Sequence, residues 1–174
     1  MNDTAQTFIT KARSLLREDY LPKIERCLER LSDEQVWWRP GSESNSIGNL
    51  LLHLAGNARQ WIVSGVGGAA DHRERQQEFD ERSVMPRAEL LERLKAVLEE
   101  VDGVLGALAP ARLLDERRIQ GYDVTVLEAV FHVVEHFSMH TGQIILLTKM
   151  IAGADLKFYD FSSGAPKSGW QESS

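Results

Sequence analysis

From Val124 to Ile151 the chain reads VTVLEAVFHVVEHFSMHTGQIILLTKMI, a segment too long and too apolar for a strand. It has the spacing of a buried helix, ending at Gly153. His132, His136, His140 and Gln143 form one stripe along it, with Ala129, Leu147 and Ile151 on the same side. Leu127, Val130, Phe131, Val134, Phe137 and Ile145 make the opposite side apolar as well. A helix apolar nearly all round needs cover nearly all round. One face requires a bundle core, and the other requires tail residues or a second subunit.

Working outward, three more long helices are predicted, and no strand. The first spans about Thr4 to Leu31, kinked at Pro22, and Ser32 with Gln35 forms a capping box after it. The second, capped by Asn45 or Ser46, runs from Ile47 to Ser64 and stops at Gly65-Val66-Gly67-Gly68. Pro86 opens the third, whose apolar stripe runs from Leu90 to Leu108 before Pro110. The fold class expected is all-α, a single four-helix-bundle domain over residues 1–174 with an irregular tail from about 154. The tail's aromatic residues are expected to dock on the bundle. Links 1–2 and 3–4 are short enough for antiparallel neighbours. The link of about 20 residues between helices 2 and 3 favours up-down-down-up, with that link as a crossover. Residues 69–83 of it are polar, highly charged and without apolar periodicity.

The chain has 174 residues, is 43% hydrophobic and carries a net charge of -6. Its scattered basic residues give no nucleic-acid footprint. No stretch approaches a membrane span, and the N-terminus lacks the basic-then-apolar pattern of a signal peptide, so a cytoplasmic protein is expected. Cys27 is the only cysteine, which excludes an intrachain disulfide and a cysteine-rich zinc site, and its place on an apolar helix face reads as packing. Trp37 and Trp38, at a helix junction, read as a cap on the core.

Three imidazoles in one column are harder to satisfy than one, and two at i and i+4 can chelate one ion. All three cannot. His132 and His140 are separated by about 12 Å of helical rise, against a zinc–nitrogen bond of about 2.0–2.1 Å. A third ligand must come from elsewhere. His53, beside the polar column Asn49, Asn57 and Gln60, is a better candidate than His72 in its charged segment. His132-Val133-Val134-Glu135-His136 has the H-x-x-E-H form of inverted zinc peptidases, with Glu135 as a base. His136 with His140 is favoured slightly by register if helices 2 and 4 run antiparallel. Spacing alone leaves both pairings open.

The segments LSDEQVWWRPGSESNSIGNLLLHLAGNARQWI and GYDVTVLEAVFHVVEHFSMHTGQIILLTKMI closely resemble the DinB-like, or YfiT-like, metal-binding superfamily, within it a subfamily of unknown function. The resemblance covers nearly the whole chain and implies an up-down-down-up bundle, often dimeric. It also implies a divalent metal (zinc, nickel or iron) held by His53, His136 and His140, with His132 as the extra member. Characterised relatives include enzymes that use a low-molecular-weight thiol. The expected function is therefore a metal-dependent transferase that activates a small thiol against a small-molecule substrate. His132, Asn57, Gln143 and Glu135 are the expected pocket or supporting residues. A non-catalytic metal-binding or dimerisation module and a metal-dependent hydrolase are the alternatives.

Overall fold

The computed structural model describes residues 2–162 and 164–169. It is an all-α bundle of four long helices, with two short α-helices, a 3-10 turn (Pro110–Arg112) and a small hairpin in the connections and a second small hairpin in the tail. Helix α1 (2–28) widens into π turns over Leu15–Tyr20, so that Leu21 N–H donates to the carbonyl of Leu16 just before Pro22. The wider turn accommodates the proline without ending the helix. The helix begins and ends a few residues earlier than its periodicity predicts. Short α2 (Asp33–Val36) starts at the Ser32–Gln35 capping box, as read from sequence.

Helix α3 (47–66) is capped by Ser46, with Asn49 returning the bond, and it also ends in π turns, over Arg59–Val66. Helix α4 (Arg75–Asp80) lies inside the crossover, and α5 (Arg87–Ala107) follows Pro86. Helix α6 (Val126–Ala152) is opened by a Thr125–Glu128 capping box. It closes at Gly153 in the left-handed region (φ 60°), where a side chain would be strained.

Cross-helix pairs give the directions. His53 meets His136 while Asn57 meets His132, so α3 and α6 are antiparallel. Arg17 pairs with Asp102 and Lys95 with Glu25, so α1 and α5 are antiparallel too. Arg59 pairs with Glu100, and Gly67 lies against Val104, so α3 and α5 run parallel. This is up-down-down-up, and the α3–α5 link is the crossover. The tightest packing joins α3 to α5 and α6, and α1 to α6, rather than the pairs with short links, which were expected to be neighbours.

Strand β1 (Glu116–Ile119) pairs with β2 (Tyr122–Thr125) where no strand was expected. Gln120 and Gly121 (φ 53° and 87°) make the tight turn, a conformation cheap for glycine and matched to strand twist. In the tail, β3 (Tyr159–Asp160) pairs with β4 (Lys167–Ser168). Leu156 is buried and Phe158 packs on the core, but Tyr159 and Phe161 are exposed, so the docking expected of the tail's aromatics is partial. Trp170 lies outside the described residues.

The core runs along all four long helices, from Ile9 and Leu16 through Leu51 and Leu94 to Phe137 and Ile144. Trp37 is part of it. Its Nε1 donates to the carbonyl of Met85 at 2.9 Å, and its ring fills the space left by Gly48. Trp38 is exposed. Cys27 is fully buried, and burial pushes its thiol up to about 11 against a hydrogen bond with Thr148. It is packing rather than a nucleophile.

Candidate metal centre

Helix α3 brings His53, and α6 brings His136 and His140, to one point. The Nε2 atom of His136 lies 3.0 Å from Nε2 of His53 and 3.2 Å from Nε2 of His140. Tetrahedral coordination with bonds of about 2.0–2.1 Å separates ligand nitrogens by about 3.4 Å, close to what is seen. These three histidines could hold a metal ion. His53 and His140 are buried and His136 is half-buried.

Their Nδ1 atoms fix which nitrogen faces the centre. His53 Nδ1 is 2.8 Å from Glu78 Oε2, and His140 Nδ1 is 2.7 Å from Gln143 Oε1. Both partners accept, so both Nδ1 atoms carry the proton and both Nε2 atoms turn lone pairs inward. Arg73 Nη2 also lies 3.1 Å from His53 Nδ1, but it has Glu78 Oε2 as its own acceptor at 2.8 Å.

His136 cannot satisfy the cluster in either tautomer. With its proton on Nε2, it must share one donor between two acceptors and leaves a buried Nδ1 without a partner. With the proton on Nδ1, three lone pairs confront one another. A cation among the three Nε2 atoms resolves the conflict, and this is how the residues fit a divalent ion.

Burial favours the neutral form of His136 and His140, the form that ligates. It pushes His136 down to about 3, helped by the neighbouring His140, His53 and His132. Burial also lowers His140, against the bond it donates to Gln143 Oε1, and His132, against the charge of Glu135.

The other residues singled out in the sequence have separate places. His132 sits one turn beyond His136. Its ring lies 4.0 Å from that of Trp61, and its Nε2 is 3.2 Å from Asn57 Nδ2. Glu135 is exposed, and its side chain makes no hydrogen bond among the described residues. His72 is exposed.

Sequence reasoning missed the support from the crossover. Arg73 clamps Glu78 in two bonds, Nε to Oε1 at 2.7 Å and Nη2 to Oε2 at 2.8 Å. Burial alone would raise the Glu78 carboxyl, but the bonds from Arg73 and His53 and the Arg73 charge hold it below the usual range. Arg73 Nη1 also donates to Gln60 Oε1 at 2.9 Å, and Gln60 Nε2 to Asp71 Oδ2 at 2.7 Å. The polar column on α3 thus ties down the crossover at Gln60, while Asn57 faces His132.

A solved structure described as a conserved protein of locus from Enterococcus faecalis shares the fold, with TM-score 0.68. It is 15% identical, and the match covers 83% of this chain and 97% of that one. No functionally curated protein matches. Residues 3–165 match a family described as a protein of unknown function (DUF1572), which falls within the DinB/YfiT-like fold superfamily. Placed by that match over nearly its whole length, the chain belongs to DUF1572.

Proposed function

We propose that His53, His136 and His140 hold one divalent ion, zinc, nickel or iron, through their Nε2 atoms, and that the protein is a metal-dependent transferase acting on a small thiol. The observation that carries this reading is the set of inward lone pairs that no arrangement of protons satisfies. Three protein ligands leave a coordination position open, the mark of catalytic rather than structural sites. Bound there, the ion would supply the Lewis acidity that lowers the pKa of a thiol.

The chain's own residues do the rest. Glu78 and Gln143 hold two imidazoles in the ligating tautomer. His132 takes up the thiol's proton at Nε2, and Asn57, whose Nδ2 donates to that atom here, turns its amide so that its Oδ1, otherwise without a partner, accepts the new N–H. Trp61, against the His132 ring, excludes water from that side. A cytoplasmic location accompanies this reading, because small thiols are kept reduced there.

Incubating metal-loaded protein with a low-molecular-weight thiol and monochlorobimane tests the activity. Metal-dependent conjugation, lost in His53→Ala, is expected. Absence of metal-dependent conjugation with cysteine, glutathione, mycothiol and bacillithiol alike overturns the transferase assignment.

A homodimer belongs to the same proposal. Phe131, Met139, Leu146 and Met150 lie 57%, 54%, 59% and 60% exposed on α6. Their spacing of 8, 7 and 4 places them on one face. Such a stripe is a surface for a second copy.

A further inference from the structure

The crossover contributes no histidine to the cluster, yet its side chains converge on the one that α3 contributes. Glu78 Oε2 accepts from His53 Nδ1 at 2.8 Å, with both side chains largely buried. Phe79 places its ring 4.7 Å from the His53 ring. Asn49, one turn before His53, donates to the carbonyls of Glu78 at 2.8 Å and Glu81 at 3.2 Å. One turn after His53, Gly56 leaves the gap into which the Glu78 carboxylate fits. A Cβ there would overlap Oε1 and come within 2.9 Å of Cδ.

What fixes this segment is almost wholly polar. Helix α4 buries none of its six residues, so apolar burial does little to hold it. Its anchor is the chain of bonds running Asp71–Gln60–Arg73–Glu78–His53. The Arg73 side chain is 5% exposed, and a charge so buried is stable only while its carboxylate partner stays in place.

We infer that Glu78 is a positioning residue for metal binding. It holds the His53 ring with Nε2 toward His136 and His140, and it thereby couples order in the crossover to occupancy of the metal centre. The inference rests on the three-histidine reading and adds a fourth element to it. Coupling of this kind is reciprocal. The segment raises affinity for the ion, and the ion orders the segment by the same factor. Outer-shell partners of ligating histidines are worth about 10–100-fold in affinity.

Zinc is the probe. Its dissociation constant is measured by competition with a chromophoric chelator for the wild type, His136→Ala, Glu78→Gln, Glu78→Ala and Gly56→Ala. Hydrogen exchange of residues 71–81 is followed with and without zinc. Glu78→Ala is expected to weaken binding about 10–100-fold. Glu78→Gln, whose amide oxygen still accepts from Nδ1, should weaken it less. Gly56→Ala keeps the carboxylate but fills its space, and it should act like Glu78→Ala. Zinc should slow exchange over 71–81 in the wild type and leave it unchanged in Glu78→Ala.

A purely structural Glu78 would lower stability while leaving zinc affinity unchanged, and that result overturns the inference alone. So does a wild type that binds zinc with no change in exchange over 71–81, a readout that holds even if a variant fails to fold. A wild type that binds zinc no better than His136→Ala removes the three-histidine reading itself, and this inference with it.

Discussion

Asp102 joins α1 to α5 by accepting from Arg13 Nε at 2.7 Å, Arg13 Nη2 at 2.9 Å and Arg17 Nη1 at 2.7 Å. The bond from Arg13, working against burial, and the two guanidinium charges hold its carboxyl below the usual range. A carboxyl depressed in the folded state adds stability above its unfolded value of about 3.9, and that share is lost as pH falls through the folded value. Asp102→Asn should therefore cost about 1 kcal/mol near pH 7, with a gap to the wild type that closes as pH falls below about 3.9. Urea denaturation across pH checks this, and a constant gap down to the lowest pH at which both fold contradicts it. At the same scale, four-residue spacing on a helix made the histidine column legible, while the choice of His53, His136 and His140 as a set came from the family resemblance. Glu78 was not legible, because a glutamate within Arg73-Glu74-Arg75-Gln76-Gln77-Glu78 looks solvated. The trace it left was Gly56, a small residue on a helix otherwise built to pack.

The long helices announced themselves through apolar periodicity, and their caps through residues that hydrogen-bond in only one place. Ser32–Gln35 and Pro86 mark boundaries where the structure has them. The hairpin at 116–125 did not show, because its four-residue strands are half exposed and carry no sustained alternation. Only Gln120-Gly121 pointed to it. The crossover was illegible for a different reason. Its helix is fixed by side-chain bonds to α3, and such bonds leave no period in the sequence. Periodicity detects elements held by burial and passes over those held by polar pairing.

For the molecule as a whole, the length of the α3–α5 link was enough to favour up-down-down-up, and the antiparallel register of α3 against α6 brings His53 level with His136. In the proposed homodimer, the exposed stripe on α6 is the face that meets the second copy. Sedimentation equilibrium should give twice the monomer mass for the wild type and the monomer mass for Leu146→Lys, with helix content unchanged. A monomeric wild type removes the dimer. The central claim concerns the histidines, and elemental analysis of protein purified without a metal-affinity tag tests it most directly. The wild type should carry close to one equivalent of a divalent metal per chain, and the His53→Ala, His136→Ala double variant close to none. Equal metal in the two proteins would contradict the account.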